Sequence, residues 1–366
     1  MNLVYNIHDK PKFSNMLLFA LQQLLAILAA TIAVPTIIGL PTQIPAAILG
    51  AGIGTLVYQL FTKFKSPVFL GSSFAFLGPM AAAFAGATST AAGYVGLILG
   101  AIMAGLVYVV IAIVIKLVGV KWINKLMPPV VIGPTVALIG LSLAGAAIKD
   151  VFSYGPQDAN GSFIMSTPIW ASLVCALVTL LVVVICSTYG KKMIKLIPFI
   201  IGIAAGYVVA AVFTFIGMAA NADYLMIINF QPIIDNFVAA DGSFRGLSAF
   251  LGCPDIALVE AIKELVTGEI SQNILDANEG AKLIDAGGIV EVIVAFLPVA
   301  MVVFAEHIAD HKNLSSIIED DLLEEPGLHR TLLGDGVGSF AGAVFGGCPN
   351  TTYGESVGCV EITKNA

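Results

Sequence analysis

Residues 346–358 read GGCPNTTYGESVG: four glycines, a proline, Asn350, two threonines and one carboxylate, Glu355, set against apolar segments. In a soluble chain such a string is a surface turn. The composition argues against that setting: 58% of the residues are hydrophobic and only 11% are charged, against about 25% charged in an average soluble domain. The chain reads as an integral membrane protein. Apolar runs long enough to span a bilayer, about 20 residues as helix, recur near 16–38, 43–62, 91–118, 129–148, 168–188, 194–219, 288–309 and 328–346. They are continuous and do not alternate, so they predict helices rather than barrel strands.

The polar start MNLVYNIHDKPK leads into an apolar run too long for a signal peptide, so the first helix is expected to remain in the mature protein. Cys175, Cys186, Cys253, Cys348 and Cys359 show no CxxC spacing and mostly lie in apolar runs. They read as small packing residues rather than metal ligands or a disulfide frame. Loops carrying Lys63 and Lys65, Lys116, Lys121 and Lys125, and Lys191, Lys192 and Lys195 alternate with loops almost free of basic residues. The positive-inside rule puts the lysine loops and the N-terminus in the cytoplasm. The long, acidic segment 220–287 then falls outside, and its pieces 254–266 and 271–286 are compatible with short amphipathic helices. The acidic linker 311–327 fits the rule poorly, but acidic residues weigh little in it.

Two stretches break the pattern of full spans. KSPVFLGSSFAFLGPMAAAF (65–84) and the opening stretch with its continuation (346–363) each join an irregular Gly/Pro/Ser/Thr portion to too little apolar length to cross as one helix. Each predicts a half-strand followed by a half-helix. Discontinuous segments at corresponding positions of two halves point to a transporter site near the bilayer midplane. Counted as the third and tenth segments they stand seven apart, an odd offset that inverts topology. Backbone unpaired in hydrocarbon costs several kcal/mol per group, so the two irregular portions are expected to meet and pair.

The second unusual stretch is AEHIADHKN, 305–313, at the end of the eighth span. Glu306 and Asp310 are four apart, hence on one face of a helix, with His307 and His311 on the adjoining face. Ionisable residues within a span are functional candidates by default. The plainer reading is that Asp310, His311 and Lys312 mark the helix end in water; it fits Glu306 poorly, because a full apolar run precedes it. His307 and His311 have the spacing of a zinc helix, but there is no HExxH and no clear third ligand. Ser72, Ser73 and Thr351 lack an ordered His/Asp set for nucleophilic catalysis. An enzyme is therefore not expected.

FLGSSFAFLGP (69–79), MPPVVIGPTVALIGLSLAG (127–145), AEHI (305–308), DLLEEPGLHRTLLGDG (321–336) and PNTTYGESVG (349–358) resemble the nucleobase–ascorbate, or nucleobase:cation symporter 2, family. Within it the resemblance is to the bacterial members that carry uracil, and it covers the chain except about 230–285. It implies an all-α polytopic membrane protein with fourteen segments in two inverted sets of seven. A core domain would take 1–128 (segments 1–4) and 288–366 (segments 8–10), a gate domain 129–219 (segments 5–7), with 220–287 an external loop insertion. The family continues through four further segments, so the chain is expected to lack part of core and gate, which leaves a non-transporting nucleobase-binding protein as an alternative.

Carried over by position, Glu306 and Glu355 match the carboxylates that contact the pyrimidine, and Phe74 and Gly354 the positions whose backbone N–H groups meet its carbonyls. Ser73 and Tyr353 complete the expected substrate contacts. Uracil offers two N–H donors and two carbonyl acceptors, so a planar site needs carboxylates and N–H groups on converging edges. The implied activity is import of a nucleobase, uracil before xanthine or another purine, in symport with protons across the inner membrane. Glu306 is the first choice of proton carrier with Asp310 and His311 beside it, because a buried carboxylate with a raised pKa can carry a proton. A co-transported proton is expected before sodium, with no cofactor, no metal and no nucleic acid, and with a homodimer in the bilayer. Three departures stand out: Asp310 where the family's best-known uracil symporter has His, Gln22-Gln23 where many members have Gln-His, and Ser356 in place of a common Asn.

Overall fold

The computed structural model describes residues 4–39 apart from 8, 43–85, 90–152, 167–238 apart from 192, 244–246, 286–366 and single positions between 254 and 262. The helices expected at 254–266 and 271–286 fall almost wholly outside these residues. In chain order the principal elements are α1 (Phe13–Ile37), α2 (Ile44–Thr62), β1 (Leu70–Ser72), α3 (Leu77–Ala85), α4 (Thr90–Val118), α5 (Pro129–Ser142), α6 (Ala144–Phe152), α7 (Thr167–Tyr189), α8 (Pro198–Ala220), α9 (Ala286–Ile318), α10 (Leu328–Gly346), β2 (Asn350–Thr352) and α11 (Gly354–Thr363).

Among the described residues, seven helices are long and apolar enough to cross a membrane: Phe13–Ile37, Ile44–Thr62, Gly93–Val118, Pro129–Phe152, Ile169–Tyr189, Pro198–Ala220 and Gly288–Ile318. The chain is an all-α polytopic membrane protein. Local signals set the helix ends: α2 and α8 open with proline in the first turn, where a missing N–H costs nothing, and close on Lys63 and Asn221 in the left-handed conformation.

Two expected spans differ from their reading. The run 328–346 does form a 19-residue helix, α10, but it is not among the seven. Protein rather than lipid covers much of it, including Thr331, Asp335 and Ser339, so it needs no apolar surface all round. The eighth span, expected to stop near 309, runs on to Ile318. Asp310 and His311 therefore lie inside a helix, 7% and 0% exposed, and do not mark its end in water.

The described chain divides into two compact units, Met1–Leu141 with Pro254–Ala366, and Ser142–Cys253. In the second, α7 and α8 pack where Gly202 meets Val183 and Gly206 meets Thr179, and Ser172 Oγ donates to Val151 O at 2.6 Å, tying α7 to α6.

In the first unit α2 and α10 cross on glycines. A Cβ placed on Gly50 would lie 2.8 Å from Gly342 O and 2.9 Å from Gly346 Cα, and one on Gly54 would lie 2.8 Å from Gly338 O. These neighbours are backbone and cannot yield, so only glycine permits the approach. An apolar cluster of Tyr58, Val68, Leu70, Leu314, Val357 and Val360, among others, joins α2, β1, α9 and α11.

Candidate functional site

The two irregular stretches pair. β1 and β2 run antiparallel, with Leu70 opposite Thr352, Gly71 opposite Thr351 and Ser72 opposite Asn350, and Ser73 N donates to Pro349 O at 2.9 Å. Each strand is followed by a half-helix: a 3-10 turn, Phe74–Phe76, leads into α3, and Tyr353 caps α11. The pair satisfies backbone that would otherwise be stranded at membrane depth. Side chains satisfy the flanks. Leu70 N donates to Thr55 Oγ1 (3.0 Å) and Phe69 N to Ser356 Oγ (3.2 Å), while Gln59 Nε2 donates to Ser66 O (2.8 Å) and Val68 O (3.1 Å). Asn350 Nδ2 reaches across to Gly50 O at 2.9 Å, pinning β2 to the glycine crossing of α2.

The opening stretch thus has a physical reading. Gly354 and Glu355 begin α11, and a helix's first turn presents N–H groups with no partner inside the helix and a field that favours negative charge. Gly354 is exposed and Glu355 half-buried. Phe74, half-buried, opens the opposing half-helix, and Ser73 is fully buried. Tyr353 is held differently from a free stacking ring. It is 3% exposed, packs on Ile27 and Ala30 beside Phe69 and Phe74, and its hydroxyl donates to Ser72 O at 2.5 Å. Its ring occupies the space where a side chain on Gly71 would stand. Two departures noted in the sequence meet here, since Gln23 Nε2 lies 3.5 Å from Ser356 O.

Helix α9 lies beside the broken segments. Thr352 Oγ1 donates to Asp310 Oδ2 at 2.7 Å, and Asp310 Oδ1 would be 3.6 Å from a Cβ on Gly354. Asp310 therefore touches the last residue of β2 and the first of α11. Half-buried Glu306, one turn earlier, is within electrostatic range of Asp310, Asp335 and Glu355. The structure brings Glu306, Asp310, Gly354 and Glu355 together around the start of one half-helix. His307 and His311 point elsewhere, into helix contacts with α10 and α2.

Sequence reasoning missed Asp335, which is fully buried and lies 2.7 Å from His307 Nδ1 through Oδ2. The signal was available: GDG, 334–336, places a carboxylate inside a span-length apolar run, and the rule that selected Glu306 selects Asp335 as well. Thr352 was missed as a partner of Asp310 because a threonine in a strand has no sequence mark of what faces it.

Residues 14–366 match the permease family. The uracil permease of Bacillus caldolyticus is 35% identical over 362 residues, which cover 99% of this chain and 69% of that protein. The uracil permease of Bacillus subtilis (strain 168) is 33% identical, covering 98% of this chain and 69% of that protein. The uracil permease of Escherichia coli (strain K12) is 30% identical over 98% of this chain and 68% of its own length. The chain therefore belongs to the permease family, as the resemblance of its motifs implied.

Proposed function

We propose that this protein is a transporter, not an enzyme, that carries a nucleobase, uracil in preference to xanthine or another purine, into the cell in symport with protons. The observation that carries the reading is the β1–β2 pair, which ends two segments part-way and sets the first turn of α11 beside the carboxylates of Glu306, Asp310 and Glu355. Such a place offers what uracil requires: carboxylate acceptors for its two N–H groups and helix N-terminal donors for its carbonyls. Glu306 and Glu355 accept from the ring nitrogens, Gly354 and Phe74 supply backbone N–H groups, and Ser73 and Tyr353 shape the pocket wall. The similarity to uracil permeases supports the choice of base.

The driving ion is a proton rather than sodium. Uracil is neutral near pH 7, so uphill uptake needs a co-transported cation, and Glu306 with Asp310 carries it; His311 is the next ionisable group on the same helix. The lysine loops support a cytoplasmic N-terminus in an inner-membrane protein. Transport would move the core unit against a gate, and the protein would act as a homodimer.

Competition binding on the purified protein tests the site. Unlabelled uracil displaces radiolabelled uracil, whereas 1,3-dimethyluracil, which keeps both carbonyls and the ring but has no N–H, fails to compete. Equal competition by the dimethyl compound would remove the carboxylates from the substrate's donor edge.

A further inference from the structure

Two buried hydrogen-bond chains leave α9 on the face that adjoins Glu306 and Asp310. His311 Nδ1 lies 2.8 Å from His307 O, His311 Nε2 lies 2.7 Å from Tyr58 Oη, and Tyr58 Oη lies 2.7 Å from Ser66 Oγ. His307 Nδ1 lies 2.7 Å from Asp335 Oδ2, and His307 Nε2 lies 3.0 Å from Thr331 Oγ1, which itself donates to Leu328 O at 3.1 Å. The two imidazoles stack with their centroids 4.0 Å apart. His307, His311, Tyr58, Thr331 and Asp335 are each 0% exposed and Ser66 is 1% exposed.

The donors in these chains follow from what each atom can do. A carbonyl only accepts, so Nδ1 of His311 carries a hydrogen, and the Nε2 of that neutral ring accepts from the Tyr58 hydroxyl. Tyr58, having given its only hydrogen, accepts from Ser66. Charging His311 at Nε2 would require both hydroxyls to reverse and Ser66 to find a new acceptor in a dry site. In the second chain the Thr331 hydrogen goes to Leu328 O, so His307 Nε2–H donates to Thr331. One proton then lies between Nδ1 and Asp335 Oδ2. Without it, two acceptors would face each other at 2.7 Å.

We propose that His311, with Tyr58 and Ser66 behind it, is a positioning residue of the transport site and keeps the same single proton through the cycle, while the carboxylates exchange theirs. His307 fastens α9 to α10 and His311, one turn on, fastens it to α2. Two anchors a turn apart fix both the rotation and the axial position of the helix, so Glu306 and Asp310, about 100° round from their neighbours, stay turned to β2 and α11. His307 on its own helix and Tyr58 from α2 face His311, and Asp310 and Asp335, from α9 and α10, are in electrostatic range of Tyr58. This inference rests on the proton-symport reading.

The test compares His311→Gln and Tyr58→Phe with the parent protein in proteoliposomes, reading uracil affinity, gradient-driven uptake and its pH profile. Glutamine can accept from Tyr58 through Oε1 but cannot carry a proton. The expected result is that His311→Gln retains gradient-driven uptake with the parent's pH profile at a reduced rate. Tyr58→Phe, which leaves Nε2 without its donor, weakens uracil binding about tenfold, again with the pH profile unmoved. Parental affinity with loss of gradient-driven uptake in His311→Gln would make His311 a carrier and overturn the proposal. So would a Tyr58→Phe protein that matches the parent or that shifts only the pH profile. Uptake by the parent that ignores the gradient refutes the symport reading instead, and the affinity of Tyr58→Phe then decides the positioning role alone.

Discussion

Glu306 and Glu355 reach the same small region by different physical routes. Glu355 stands in the first turn of α11, where the helix N-terminus favours its charge. Glu306 stands in mid-helix with Asp310, Asp335 and Glu355 in electrostatic range. Replacing either by Gln preserves shape and removes a charged acceptor, and a hydrogen bond to a charged group contributes roughly 1.5–3 kcal/mol. Glu306→Gln and Glu355→Gln are each expected to weaken uracil binding roughly 10- to 150-fold in equilibrium binding at fixed pH. Parental affinity in both variants would place the base elsewhere. Both residues were legible in the sequence, one because an apolar run precedes it and the other because it follows an irregular stretch. Asp335 stands in an apolar run and was open to the same reading; Tyr58 was not, because its importance lies in a partner on another helix, His311, 253 positions away.

At the scale of elements, the half-strands were readable because Gly, Pro, Ser and Thr interrupt an apolar run on a fixed pattern, and backbone in hydrocarbon has few ways to be satisfied. Their pairing followed from that constraint together with their seven-segment offset. The end of α9 was not readable. Asp310, His311 and Lys312 look like a water-side terminus in one dimension, and only burial by β2, α2 and α10 shows that the helix continues. The glycine crossing of α2 and α10 was equally hidden, since glycine in a membrane helix has many uses. It supports a paired prediction within one helix. Gly50→Ala puts a methyl 2.8 Å from Gly342 O and 2.9 Å from Gly346 Cα, an overpacking that costs about 1–3 kcal/mol, and it displaces the carbonyl that Asn350 holds. Gly52→Ala, whose Cβ meets nothing within 4 Å, is expected to be neutral or to stabilise by up to about 1 kcal/mol. Thermal melting in detergent should fall for Gly50→Ala and hold or rise for Gly52→Ala, and a Gly50→Ala protein that melts at or above the parent's temperature would mean the crossing is looser than its backbone distances require.

For the whole molecule, substrate and proton must be read by one device if uptake is to be coupled. On the proposed reading Asp310 does so, since one oxygen accepts from Thr352 at the end of β2 and the other lies beside Gly354, where α11 begins. A proton added to or removed from that carboxylate changes what it offers to the segment proposed to hold the base. Asn in its place keeps an acceptor for Thr352 and cannot exchange a proton, so Asp310→Asn separates binding from coupling. The expected outcome is uracil affinity within a fewfold of the parent, uracil exchange retained, and gradient-driven accumulation lost. In the parent protein an uncoupler that collapses the proton gradient should abolish accumulation to the same extent. If Asp310→Asn accumulates uracil and the uncoupler stops it, the proton travels on Glu306 alone and the contact with Thr352 is only a fastening. If the uncoupler leaves accumulation intact in both proteins, the carboxylates serve recognition and the driving ion is not the proton.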